Sequence, residues 1–190
     1  VTRIVHWANA GLFLWLVFSG LVLSYGPLSA LVGRRELIKH LHVWAGLALP
    51  VPLLAGVAGR WGGALRADLG RINRWLVDDR RWFRSWGRDR RIRLGKFHPG
   101  QKLNAAFTAG SIPVMLGTGI VMRWYKPFPL SWRTGATFVH DWVATLLLLT
   151  IIGHIVKAVS DREALGGMVT GEVSRGWAAR HHPRWLDEVG

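Results

Sequence analysis

The sequence predicts an all-α integral membrane protein, a four-helix bundle with a cytoplasmic amphipathic loop and a C-terminal tail. Two observations carry this prediction. About half of the 190 residues are hydrophobic, and they are pooled into four long runs instead of being spread at a globular period. The 25 Lys and Arg residues, which give a formal net charge of +14, gather between and beside those runs.

The first run, Ile4 to Gly26, carries His6 as its main polar intrusion. The second, Leu37 to Trp61, has Lys39 and His40 at its mouth and Pro50 and Pro52 in its middle. The third, Leu103 to Tyr125, is rich in Gly, Ala, Ser and Thr and contains Pro113. The fourth runs from about Gly135 to Ala158. At 1.5 Å rise per residue, about twenty residues cross a hydrocarbon layer of roughly 30 Å, and each run is long enough. The first is too long for the apolar core of a cleavable signal peptide, and three more spans follow it. Residues 1–190 therefore read as one transmembrane domain, with spans at about 4–26, 37–61, 103–125 and 135–158, a loop at 62–102 and a tail at 159–190.

Of the 25 basic residues, 19 fall on the side that holds the N-terminus, the 62–102 loop and the tail. Both termini are therefore expected in the cytoplasm of a bacterial cell, with the chain in the inner membrane. Because the basic residues border the spans, membrane lipid accounts for the charge and no nucleic acid is expected. The loop interleaves Trp, Leu and Phe with Arg, which suits a helix or turn at the cytoplasmic lipid surface or a docking face for a soluble partner. The tail mixes charge signs and reads as solvated, with Trp177 and Trp185 as anchors. With no cysteine in the chain, disulfides, iron-sulfur clusters, cysteine-ligated zinc and c-type haem attachment are excluded.

Histidines within membrane spans are costly and mark sites. His140 and His154 are fourteen residues apart, about 21 Å of helix rise and within about 40° of the same face. With the N-terminus inside, His6 and His154 lie near the cytoplasmic surface, and His42 and His140 near the opposite one. One such histidine is readily a packed interior residue; four at two matched depths form two bis-imidazole pairs. Neutral imidazole is a good axial ligand for haem iron, and two of them leave a centre suited to electron transfer. Two haems b are expected, with Gly11, Gly20, Gly46, Ala144 and Gly153 giving a macrocycle room beside the backbone. His40, two residues before His42, is a competing ligand on a different helix face. Arg3 is placed to neutralise a haem propionate, and Arg60 and Arg123 are weaker candidates for that role.

The stretch from Gly95 to Ala105, "GKFHPGQKLNA", turns into the third span at Pro99 and Gly100. Such a turn exposes backbone N–H groups. His98, Gln101 and Lys102 add side-chain donors, so a quinone is expected there, near the inner haem and His154. His98 reads as a proton relay because an unperturbed imidazole titrates near neutrality.

The segments "RIVHWANAG", "HVWAG", "HPGQKLN", "VHDWVA", "IGHIV" and "GEVSRGWAARHHPRWLDEV" resemble the gamma subunit of membrane-bound respiratory formate dehydrogenase, a di-haem cytochrome b. The resemblance covers nearly the whole chain and is most specific in the tail. It implies haem ligands at His6, His42, His140 and His154, with His154 also bordering the quinone pocket. It also implies Gly100 as a quinone contact, whereas His98 stands where the family commonly has Asn. The implied partners are an iron-sulfur beta subunit and, through it, a molybdenum or tungsten pterin alpha subunit that oxidises formate; a higher-order oligomer of the complex is compatible with this. The implied acceptor is menaquinone or ubiquinone. Two alternatives stay open: the equivalent cytochrome b of a nickel-iron hydrogenase or another molybdoenzyme, and a haem-free metal or proton transporter.

Overall fold

The structure, a computed structural model, describes residues 1–89 and 91–189. Arg90, in the predicted loop, and Gly190, at the end of the predicted tail, lie outside the described residues. The chain is 80% helical with no strand among the described residues, and its helices divide between two compact units.

The first unit comprises Val1–Gly62 and Ala109–Ile151. Helix α1 (Thr2–Ser24) is followed by the short α2 (Gly26–Val32), which Pro27 starts and Gly33 ends at φ 66°, a left-handed position that glycine adopts without strain. Arg35 then reaches back to donate to the Leu23 carbonyl at 2.8 Å and the Ser29 hydroxyl at 3.1 Å. The open C-terminal end of α1 is satisfied in this way. The second span is divided into α3 (Arg35–Ala48) and α4 (Val51–Ala58). Pro50 has no N–H to give the Gly46 carbonyl; Leu49 N–H takes that acceptor instead, at 3.2 Å, tightening the turn where the two pieces meet. Helix α1 packs against both pieces. The unit is completed by the later part of α7 (Pro99–Arg123), which continues through Pro113, and by the larger part of α8 (Leu130–Ser160).

Four helical stretches, Thr2–Ser24, Arg35–Ala58, Pro99–Arg123 and Leu130–Ser160, are long and apolar enough to cross a membrane, and at most 11% of the residues in any one apolar stretch are buried. Such exposure suits helices whose solvent is lipid. Helix α8, at about 46 Å for its 31 residues, is longer than a hydrocarbon layer of roughly 30 Å. Its start at Leu130 precedes the predicted Gly135, because Ser131, Trp132 and Arg133 continue the helix beyond the purely apolar residues.

The second unit comprises Gly63–Thr108 and Ile152–Gly190. It holds α5 (Gly63–Asn73), α6 (Val77–Arg84), α9 (Arg162–Thr170), α10 (Arg175–His181) and α11 (Pro183–Val189). Two carboxylates of the loop are buried. Asp68 takes Lys96 Nζ at 2.8 Å on both oxygens and Arg71 at 3.1 Å. Asp79 caps the start of α6 through Leu76 N–H at 2.7 Å and pairs with Lys102 Nζ at 2.8 Å. The loop is thus a packed polar structure as well as a carrier of exposed aromatic rings such as Trp86.

The tail differs from its expected solvated state. Arg184 N–H donates to the Leu94 carbonyl at 3.1 Å, and Arg93 pairs with Asp187 at 2.7 Å. His182, buried, donates through Nδ1 to the Gly95 carbonyl at 2.7 Å. Upstream, Asp161 caps α9 through Ala164 N–H at 3.0 Å and accepts the Trp177 indole N–H. Burial works against the Asp161 carboxylate, but those two hydrogen bonds outweigh it and hold the group below its usual range. One ion pair, one backbone hydrogen bond and one histidine ring fasten the tail to residues 93–95.

Candidate functional site

In the first unit, all four spanning helices converge on one cluster. The rings of His42, on α3, and His140, on α8, face each other with centroids 6.5 Å apart and planes at 62°. Behind His42, its Nδ1 lies 2.8 Å from Ser19 Oγ of α1. Behind His140, its Nδ1 lies 2.8 Å from Thr118 Oγ1 of α7. A side chain at each glycine that follows these hydroxyls would touch the same rings: a Cβ at Gly20 would stand 3.7 Å from His42 Cε1, and one at Gly119 3.6 Å from His140 Cε1.

It is His42, and not His40, that meets His140. His40 is exposed, and its Nδ1 is bonded to the Glu36 carbonyl of its own helix at 2.7 Å. The two-residue offset turns His40 onto another face.

This geometry tests for a cofactor. A first-row metal holds an imidazole nitrogen at about 2.0–2.1 Å, so one metal between two opposed rings needs ring centres roughly 6 Å apart, close to the observed spacing. Among the described residues no group of three His, Asp or Glu side chains converges to hold a bare ion. Protein sites for zinc need three or four ligands of their own. Two opposed imidazoles fit a metal that arrives with its equatorial ligands already attached, and an iron porphyrin is such a group. The residues fit haem.

A family model for prokaryotic cytochrome b561 matches residues 1–171. The chain belongs to the prokaryotic cytochrome b561 family. Membership implies a haem b cofactor and an integral membrane protein. Among similar proteins, the cytochrome b556(Fdn) subunit of the nitrate-inducible formate dehydrogenase of Escherichia coli K12 is 27% identical, covering 100% of this chain and 88% of that protein. The cytochrome b556(fdo) subunit of the same organism is 29% identical, over 98% and 89%. The formate dehydrogenase cytochrome b556 subunit of Haemophilus influenzae is 25% identical, over 98% and 79%.

The other histidines and the arginine that the sequence put forward on the spans lie on α1 and α8. His6 is in the second turn of α1, its ring edge-on to Trp7 with centroids 5.2 Å apart, and Arg3 is in the first turn. His154 is on the part of α8 that belongs to the second unit, and its side chain is exposed there.

The "HPGQK" turn is a helix cap. His98 Nδ1 accepts the Gly100 N–H at 2.9 Å, and Gln101 Oε1 accepts the His98 N–H at 2.9 Å, a reciprocal capping box with histidine in the place usual for Ser or Thr. Pro99 occupies the first helical position, where its missing N–H costs nothing. This cap starts the third span four residues before the predicted Leu103. Lys102, expected as a donor to a ligand, is buried and gives its ammonium protons to the Arg74 carbonyl at 2.9 Å and to Asp79.

His98 stacks on Trp82 with centroids 5.4 Å apart. Burial, then the nearby His182 and Lys157, push its pKa down to about 4. The ring is therefore neutral at physiological pH, with Nδ1 an acceptor and the proton on Nε2. The proton-relay expectation is corrected accordingly: this imidazole offers a hydrogen-bond donor and carries little positive charge at neutrality.

Ser19, Thr118 and Gly119 were not among the residues that stood out in the sequence. Their signal is a dipeptide, Ser19-Gly20 in "FSGLV" and Thr118-Gly119 in "GTGIV", a hydroxyl followed by glycine on two different spans.

Proposed function

We propose that this chain is the membrane-anchoring di-haem cytochrome b subunit of a formate dehydrogenase complex, passing electrons from an iron-sulfur partner to a quinone. The observation that carries the reading is the opposed His42 and His140 pair, with no third protein ligand among the described residues. The names of the similar proteins, cytochrome b556 subunits of formate dehydrogenases, supply the complex. In this reading the partner holds iron-sulfur clusters and delivers electrons that a molybdenum or tungsten pterin subunit takes from formate.

Haem b, when bound, supplies a one-electron carrier that needs no protein chemistry beyond placement and tuning. His42 and His140 would hold the outer one. The depths read from the sequence assign His6 and His154 to the inner one, where Arg3 would neutralise a propionate. His98 donates a hydrogen bond from Nε2–H to a quinone carbonyl, and Gly100, where a Cβ would stand 2.7 Å from His98 Cε1, leaves that ring the room to take this position. Gln101 and Lys102 keep this turn in shape, the first by capping His98 and the second through Asp79; the Gln101 amide nitrogen remains available to the same ligand. Both termini lie in the cytoplasm of a bacterial cell, so quinone reduction draws its protons from inside.

Pyridine-haemochrome quantitation of the detergent-purified protein tests this directly. Two haems b per chain are expected, falling to about one in His42→Ala and in His154→Ala. A folded protein without haem would overturn the reading. Formate added to membranes holding the complex should reduce the haem absorption bands; reduction by hydrogen but not by formate would assign the chain to a hydrogenase instead.

A further inference from the structure

We infer that Ser19 and Thr118 are positioning residues that lock His42 and His140 into one tautomer for a shared iron, so that each of the four spans contributes one residue to the outer site. The inference rests on the reading that His42 and His140 hold a haem.

The argument is one of counting protons. Ser19 Oγ lies 2.7 Å from the Trp15 carbonyl and 3.3 Å from that of Leu16. Thr118 Oγ1 lies 2.7 Å from the Val114 carbonyl and 3.2 Å from that of Met115. Carbonyl oxygens only accept, and a hydroxyl has a single proton to donate. Spent on the helix backbone, that proton leaves each hydroxyl an acceptor for the imidazole behind it. In the inferred tautomer Nδ1 of both rings carries the hydrogen and Nε2 the free lone pair.

Back-bonding to the preceding turn is ordinary in this chain and by itself means nothing. Thr134, Thr137, Thr145 and Thr150 all do it along α8 with no imidazole attached. Ser19 and Thr118 differ in using the back-bond to aim a lone pair at a histidine. Ser19 is also fully buried, where a polar group without such a partner is costly. The same device, with glycine as the next residue, occurs on α1 for His42 and on α7 for His140.

A hydrogen bond from Nδ1–H makes the imidazole a more basic ligand and fixes its orientation; loss of such a partner typically costs about 10–100-fold in metal affinity. Ser19→Ala and Thr118→Val are therefore expected to weaken outer-haem binding by about 10–100-fold and to raise that haem's midpoint potential, since a less basic ligand favours the reduced iron. The inner haem serves as the internal reference in the same redox titration. Ser19→Thr and Thr118→Ser keep the hydroxyl and should restore the parental values. Electron-nuclear double resonance on the unmutated, ring-labelled protein reads the Nδ1 protons without any variant, and should find one on each outer ligand. Two haems with unchanged outer affinity, potential and spectrum in both hydroxyl-less variants would overturn the inference and leave the di-haem reading standing, as would an outer ligand lacking its Nδ1 proton. Retention of both haems by His42→Ala would instead overturn the reading beneath it.

Discussion

Lys102 illustrates how one residue's assignment turns on its neighbours. By composition it is a cation at the mouth of a span, available to a ligand; in the fold it is 5% exposed and paired with an equally buried Asp79. Removing one partner of such a pair leaves an unpaired buried charge, at a cost of about 3–5 kcal/mol. Lys102→Met is therefore expected to lower the thermal stability of the detergent-purified protein by that amount, and Asp79→Asn to act in the same direction. Their double variant should be much less destabilised than the sum, because the stranded charge disappears. Additive losses in thermal melts, together with an isolated defect in quinone affinity for Lys102→Met, would return this lysine to the ligand pocket. His98 shows the converse: its place at the helix entry was legible, but its protonation was not, since that depends on Trp82, His182 and Lys157 arriving from three other places in the chain.

At the scale of the element, the start of α7 is where residue chemistry becomes helix geometry. The cap needs His98 neutral, because Nδ1 must accept the Gly100 N–H. Its folded pKa, about 4, lies below the roughly 6.5 of an exposed imidazole, so the unfolded chain binds this proton first as pH falls. The stability that the neutral ring brings is complete above about pH 6.5 and is lost progressively down to about pH 4. Burial lowers His182 in the same direction, and it should steepen the same window. Melting temperature recorded between pH 7 and pH 4 should fall, with His98→Gln removing part of that slope; an equal slope in the variant would show that other groups carry it. The four spans and the cap's Pro-Gly turn were readable as elements. The second span was read as one helix with Pro50 and Pro52 in its middle, and the structure divides it there into two. The docking of α10 and α11 was not readable, because "RHHPRWLDEV" is amphoteric and its partners at residues 93–95 are about 90 positions away.

For the whole molecule, the distribution of charge, 19 basic residues on one side and six on the other, predicts the orientation that places both termini in the cytoplasm. The chain has no cysteine, so a single introduced thiol is a unique label. In intact cells an impermeant maleimide should label Arg34→Cys from outside and should reach Glu172→Cys only after the inner membrane is opened. Labelling in the reverse pattern would invert the assignment of outer and inner haem depths, and with it the side on which the iron-sulfur partner docks.

By itself the sequence determined that this protein has four helices long and apolar enough to cross a membrane, and where its basic segments and its histidines lie along them. Hydrophobic run length, charge placement and the 3.6-residue period are local quantities that need no partner to be read. Tertiary structure alone decided that the His42 and His140 rings meet, that Ser19 and Thr118 stand behind them, that Lys102 serves Asp79, and that the tail is fastened at residues 93–95. Each of these depends on which lone pair or proton a distant residue has left to offer, and that is known only when the helices have been brought together.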